Sequence, residues 1–378
     1  MRIALVSDMY LPRRGGIELH LADLAARLRG AGHAVDVLTP TPGPMDLGVR
    51  RLALPLLPGT GVTIDPRLVG ALGRALDAGR YDVAHCHASV FSPAAWAAMW
   101  AARRRGVPAV LTFHSVLRTS AHYLGAAYRA LGAARWPLAV TGVSEIVAGQ
   151  ARRVAPGAPV GVLPNAVDLA WWRAGTVADG RAGALRLACA MRLTRKKRPA
   201  ALLRAVAAVS RALPDVRLRL TLAGEGSARP ALERLVARLG LGDVVRLPGW
   251  LSRPALRELY HASDAFVLPT VDESFGIAAL EARAAGLPVL ARRGTGVGDF
   301  VRDGAHGYLV ASDDETVDRL IALGRDPLRL AALAARSRAE PVAAYDWSAV
   351  VARHEAVYAS VSDRGAAKRV APRRAAAR

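Results

Sequence analysis

Two acids bracket one short apolar helix in this chain: Glu273 and Glu281, in the stretch DESFGIAALEARAAG at residues 272–286. The helix is predicted to start near Phe275 and to stop before Gly286, with Pro288 just beyond. Glu281 then falls one helical turn after Ile277, on the apolar stripe and not on a solvated face. A buried carboxylate without partners costs several kcal/mol, so each acid needs a hydroxyl or a cation. The helix tip between them offers amides from about Phe275 to Ala278 and the positive end of a dipole, which suit an anion. A polyol joined to a phosphate would satisfy both requirements. For either acid alone, a snorkelling or hydrogen-bonded structural glutamate is the competing reading.

Other chemistry-bearing residues fall at strand ends. The segment MRLTRKKR places Arg192 and Lys197 after an apolar strand, where they can neutralise a phosphate; read by itself, a basic run is a solvated loop. Gly15 and Gly16 follow the first strand, and Gly224 and Gly226 in LAGEGS follow another, each allowing close backbone approach. The G-x-G-x-x-G dinucleotide pattern is missing. Trp250 in LPGWLS reads equally as core or as a stacking platform. His114 closes PAVLTFH at the carboxyl end of a strand, a ligand-facing position in α/β folds. His85 and His87 share one side of their strand but have no third ligand at suitable spacing, which argues against a metal; D-x-D is also missing.

The elements that must carry these residues alternate. RIALVS, AVDVLTP, RRLALPL, DVAHCHA, PAVLTFH, AVTGVS and VGVLPN are predicted strands separated by helices, the first being GGIELHLADLAARLRGAGH with Ile17, Leu21, Leu24 and Leu28 at helical spacing. After a polar segment at 173–184 the pattern restarts with LRLACAMRL, RLTLAGEG, DVVRLPG, AFVLP and PVLARR. The fold class is therefore α/β, with two Rossmann-like domains facing across a cleft and ligand held at the carboxyl edges of two parallel sheets. Expected domains are 1–168 and 185–345, followed by a helix at 346–362 that could cross back to the first domain and a disordered basic tail at 363–378.

Composition narrows the class. A chain of 378 residues is long enough for two cores, and its two cysteines, Cys86 and Cys189, exclude a disulfide framework. The N-terminal apolar run breaks at Ser7 and Asp8, and no run reaches eighteen apolar residues, so the expectation is a cytoplasmic protein without a membrane span. The net charge of +21 is spread along the chain apart from the tail, and with only three lysines it fits an arginine-rich compositional bias better than nucleic-acid binding.

The motifs together resemble the retaining glycosyltransferases of family 4. ESFGIAALE matches their E-x7-E signature, and YLPRRGGIELH, HCHAS, TFHS, GVSE, VLPNAVD, MRLTRKK, LAGEGS, LPGWLS, GTGVGDFVRDGAHGYLV and DW fall in family order across nearly the whole chain. The first half is also similar to enzymes that add N-acetylglucosamine to phosphatidylinositol. The resemblance implies a GT-B fold and a nucleotide-sugar donor. It places Glu273 on the donor sugar's hydroxyls, the amides of Ser274, Phe275, Gly276 and Ile277 near sugar and diphosphate, and Glu281 on the ribose. It puts Arg192 and Lys197 on the diphosphate, Gly16, Gly224, Gly226 and Trp250 along the donor, and His114 near the anomeric carbon. Tyr10 and Arg118 are assigned to the acceptor. Met191 and Arg198 stand where the family pattern carries glycine.

The expected reaction is hexosyl transfer from a UDP- or GDP-sugar to a hydroxyl of a lipid-linked or other glycan or polyol acceptor, without metal or cofactor. No carboxylate is an obvious nucleophile, so front-face substitution is expected, with a leaving phosphate oxygen taking the acceptor proton. Leu117, Tyr123, Leu124, Leu131 and Trp136 with Arg118, Arg129 and Arg135, and the helix ending in three arginines at 103–105, read either as two packed helices or as a contact with the inner face of an anionic membrane. The competing functions are a nucleotide-sugar epimerase of the same architecture and a non-enzymatic polyanion-binding protein. A pyridoxal-phosphate phosphorylase lacks a convincing lysine.

Overall fold

The computed structural model describes residues 1–378 except 14, 137, 176–183 and 371–378. The chain divides into two compact units: Met1–Asn165 with Ser348–Arg378, and Ala166–Trp347.

The first unit runs β1 (Arg2–Ser7), α1 (Gly16–Gly30), β2 (Ala34–Thr39), β3 (Val49–Arg51), α2 (Leu68–Gly79), β4 (Val83–Ala88), α3 (Pro93–Arg105), β5 (Ala109–Phe113), α4 (Ser120–Ala130), β6 (Leu138–Gly142), α5 (Glu145–Val154) and β7 (Val160–Val162). Its sheet has the order β3-β2-β1-β4-β5-β6-β7. The paired strands are parallel, with Leu5 opposite His85 and Ser7 opposite His87. Every residue of β4, β5 and β6 is buried, as a sheet covered on both faces requires.

The second unit contains α6 (Leu169–Arg173), β8 (Ala184–Ala190), α7 (Pro199–Ala212), β9 (Arg217–Ala223), α8 (Arg229–Arg238), β10 (Val245–Gly249), α9 (Arg253–His261), β11 (Ala265–Leu268), α10 (Ile277–Ala284), β12 (Val289–Arg292), β13 (Gly307–Val310), α11 (Asp313–Arg325) and α12 (Pro327–Ala339). The sheet order is β10-β9-β8-β11-β12-β13. Leu187, Leu203, Val206, Leu220, Leu222 and Leu320 form the middle of its core, and each such side chain contributes roughly 1.5–3 kcal/mol on burial. In both sheets the strand order reverses beside the first strand of the unit, between β1 and β4 and between β8 and β11. That reversal opens a crevice at the carboxyl ends of the strands, where ligands bind in doubly wound folds.

The final helix, α13 (Trp347–Val370), joins the first unit from Ser348 onward. The Tyr358 hydroxyl lies 2.8 Å from His85 Nδ1 on β4, and Glu355 lies 2.8 Å from His33 Nε2. The helix continues past residue 362, where the sequence pattern predicts its end, and the rest of the expected tail, 371–378, lies outside the described residues. Two further differences from the sequence reading are local. The strand predicted at RRLALPL is the shorter β3, and β13 goes unrecognised because only its two end residues are buried.

Candidate functional site

In the second unit, the loops after β8 and β11 meet at the strand reversal. Lys197 Nζ donates to Glu273 Oε2 at 2.6 Å, with the Glu273 side chain one-tenth exposed and that of Lys197 about a third. Lys197 belongs to a single 3-10 turn, Arg195–Lys197, and its carbonyl accepts from the Thr270 hydroxyl at 3.3 Å. Arg192, on the same loop, is exposed.

The residues after Glu273 are pinned from behind. Phe275 is buried against Phe300 and Tyr345, whose ring centroids lie 5.4 Å and 5.9 Å away. Gly276 has φ 92°, and a Cβ there would meet Val297 Cγ2 at 2.8 Å. The helix therefore begins at Ile277, two residues later than the sequence pattern places it, because the left-handed Gly276 interrupts the helical run. The amides of its first turn have no carbonyl partner within the helix and point toward the sheet edge. Ser274 precedes this turn. Glu281 is half-buried on α10; burial first, and then the Glu281 charge, push the Tyr260 phenol well up.

The glycine turn after β9 locks into the Arg192 loop. A Cβ on Gly224 would come within 1.9 Å of the Met191 carbonyl oxygen, and one on Gly226 within 2.3 Å of that of Leu193. The Leu193 amide donates to Glu225 at 2.8 Å and the Gly224 amide to Gly249 at 2.7 Å, so the edges of β8, β9 and β10 are joined by backbone. Trp250 follows at half exposure, which removes the core reading for that side chain.

In the first unit, the strand reversal gathers histidines. His114 follows β5 and its Nε2 lies 2.9 Å from His87 Nδ1. The His85 ring is 4.1 Å from that of His87, and its nitrogens meet Tyr358 and the Thr112 hydroxyl. His20 on α1 faces His114 at 6.4 Å between ring centroids. Burial keeps the His114, His85 and His87 rings neutral: His114 falls to about 4, and His85 and His87 fall well below the ordinary range. Among the described residues no group of three or more His, Cys, Asp or Glu is arranged to hold a metal ion.

Asp8, just after β1, has one oxygen accepting from the Ala94 amide at 2.9 Å, while burial raises its carboxyl to about 6. Sequence reasoning noted Asp8 only as the end of an apolar run; its position at the carboxyl end of β1 was the signal that could have marked it. Gly16 opens α1 and is exposed, Tyr10 is buried in the preceding loop, and Arg118 is exposed with φ 36°. Of the segment read as a membrane contact, Leu117 and Trp136 are buried, with Arg103 stacked on Trp136 at 5.2 Å, whereas Tyr123 and Leu131 are exposed.

The geometry amounts to an ammonium, a carboxylate, two glycine turns and a helix tip at one sheet edge, and a chain of neutral imidazoles at the other. Known proteins are similar to this chain. Residues 183–340 match the family described as Glycosyl transferases group 1, and residues 14–171 match Glycosyltransferase Family 4. The D-inositol 3-phosphate glycosyltransferase of Thermobispora bispora is 32% identical over 93% of this chain and 91% of its own length. D-inositol 3-phosphate glycosyltransferase 1 of Catenulispora acidiphila is 32% identical over 96% and 97%. Among solved structures, Anabaena HepE in complex with UDP and glucose superposes with a TM-score of 0.76 at 20% identity, covering 95% of this chain and all of that one. A sucrose-phosphate synthase from Thermosynechococcus elongatus gives 0.77, also at 20% identity, over 96% and 99%. No helix among the described residues is long and apolar enough to cross a membrane. The chain thus belongs to the family 4, group 1 glycosyltransferases, enzymes of the GT-B fold.

Proposed function

We propose that this glycosyltransferase moves a hexose from a UDP-sugar to a hydroxyl of a phosphorylated cyclitol or related polyol, with retention at the anomeric carbon. The observation that carries the reading is the Lys197–Glu273 pair at the strand reversal of the second sheet. Each partner satisfies the other, and a nucleotide-sugar offers each a replacement: phosphate oxygens for the ammonium, sugar hydroxyls for the carboxylate. Arg192 and the first-turn amides of α10, with Ser274, Phe275, Gly276 and Ile277 around them, take the rest of the diphosphate, and Glu281 takes the ribose. Gly16 lets backbone approach the donor, Gly224 and Gly226 let the turn after β9 close on the Arg192 loop beside it, and exposed Trp250 borders the base.

In the transfer step the acceptor oxygen bonds to the anomeric carbon as the bond from that carbon to the diphosphate breaks. The acceptor proton passes to a leaving phosphate oxygen. Lys197 and Arg192 stabilise the charge that develops there. Neutral His114 orients the substrates, and Tyr10 and Arg118 contact the acceptor. The relatives named for inositol 3-phosphate support a polyol acceptor, and the HepE complex supports a uridine donor. A lipid-linked acceptor with contact to an anionic membrane is the second reading, favoured by exposed Tyr123 on α4.

The test is incubation with UDP-glucose or UDP-N-acetylglucosamine and inositol 3-phosphate, following UDP release and the anomeric configuration of the product by NMR. Acceptor-dependent UDP release with an α-linked product is expected. A rearranged sugar appearing without acceptor would instead establish an epimerase, and absence of turnover with any polyol but transfer to a lipid would establish the second reading.

A further inference from the structure

We propose that Asp313 is a positioning residue for the Lys197 loop, acting through Arg198. The inference rests on the reading of Lys197 and Glu273 as the donor-binding pair. Arg198 has φ 59° and ψ 38°, a left-handed conformation that side chains with a Cβ disfavour, and Pro199 restricts it further. It closes the 3-10 turn that carries Lys197 and starts α7, so the direction of the Lys197 side chain depends on its backbone.

The side chain of Arg198 shows what holds that backbone. Its Nη2 donates to Asp313 Oδ2 at 2.6 Å, and its Nη1 donates to Asp313 Oδ1 at 3.2 Å and to the Pro269 carbonyl at 3.4 Å. Asp313 is itself fixed: Arg292, at the buried end of β12, donates to Oδ1 at 2.8 Å. The guanidinium thus reaches from the loop after β8, over the end of β11, to the first residue of α11. A bidentate arginine–carboxylate pair defines geometry as well as charge. With Thr270 anchoring the Lys197 carbonyl on the β11 side, the carboxyl end of the turn is gripped from two sides while Nζ meets Glu273. Glycine at 198 would take the same backbone without strain and would need no grip.

The alternative is that Asp313 only neutralises Arg292 and the start of α11. The two are separated by comparing Asp313→Asn in the natural chain and in an Arg198→Gly background, reading UDP affinity by calorimetry and hydrogen exchange across residues 192–198. In the natural chain the substitution is expected to speed exchange there and to weaken UDP about tenfold, as it would if the competent population fell to about a tenth. In the Arg198→Gly background the same substitution is expected to change both by less than about twofold, although the unfolding midpoint still drops because Arg292 has lost its partner. Unchanged exchange and UDP affinity in Asp313→Asn, or equal losses in both backgrounds, would overturn the proposal. If the natural chain binds no UDP, the proposed donor site fails while the exchange data still decide whether the grip exists.

Discussion

Lys197 Nζ donates to Glu273 Oε2 at 2.6 Å, tying the loop after β8 to the loop after β11 where the strand order of the second sheet reverses. The Glu273 carboxylate is mostly buried and the ammonium only partly so. Removing the acid's charge therefore differs from removing the cation, because a buried carboxylate left without its partner carries an uncompensated desolvation cost.

Glu273→Gln keeps a hydrogen-bonding side chain and leaves Lys197 available to phosphate. UDP affinity is expected to hold or rise, while transfer falls by roughly two orders of magnitude, the scale of losing one preorganised transition-state contact. Lys197→Ala is expected to weaken UDP and to lower the unfolding midpoint. Calorimetry with UDP beside initial transfer rates checks both; parallel losses of UDP affinity in the two variants would contradict the assigned roles.

Gly224→Ala tests the interlocked loops. With φ 133° and a Cβ only 1.9 Å from the Met191 carbonyl, the substitution forces the Arg192 loop to move. Strain of this kind costs about 1–3 kcal/mol before the clash is counted. Gly242→Ala, where nothing lies within 4 Å, is expected to stay within about 0.5 kcal/mol. Urea unfolding of the two variants supplies the comparison.

Tyr358→Phe tests the attachment of α13 to the first unit. The substitution leaves His85 Nδ1 buried without its partner, which costs roughly 1–3 kcal/mol. The unfolding midpoint is expected to fall, with little change in UDP affinity.

Acid should destabilise the first unit. His114 and His354 each drop from 6.5 to about 4 on burial, and His85 and His87 also drop. An unfolded histidine takes up a proton near pH 6.5, whereas the folded one resists until about 4, so stability is lost as pH falls across that window. For His114 or His354 alone the acid-limit loss is on the order of 3 kcal/mol, at about 1.36 kcal/mol per unit. Asp8, raised from 3.8 to about 6, works in the opposite direction and recovers part of this as it protonates. Four histidines against one aspartate give a net loss. Thermal unfolding followed against pH is expected to show a falling midpoint below 6.5, and a flat profile would contradict the buried neutral cluster.

Much of this organisation is legible in residue order. Apolar runs closed by glycine turns mark most strands and helices, and the acids around α10 stand out because a carboxylate on an apolar stripe demands a partner. What resists reading is tertiary. That Arg198 keeps a left-handed backbone depends on Asp313, far away in the chain, and the His87 contact with His114 depends on neighbouring strands. Met191 in place of a glycine is tolerated because its side chain packs against the second core while only its backbone meets Gly224. β13 is missed because Tyr308 and Leu309 are half-buried, leaving no period to detect.

The most direct measurement is a crystal structure of the protein soaked with a UDP-sugar. The expected result is the diphosphate within hydrogen-bond reach of Lys197 Nζ and the first-turn amides of α10, with a sugar hydroxyl on Glu273 and the ribose on Glu281. A donor bound elsewhere, with the Lys197–Glu273 contact undisturbed, would contradict the site.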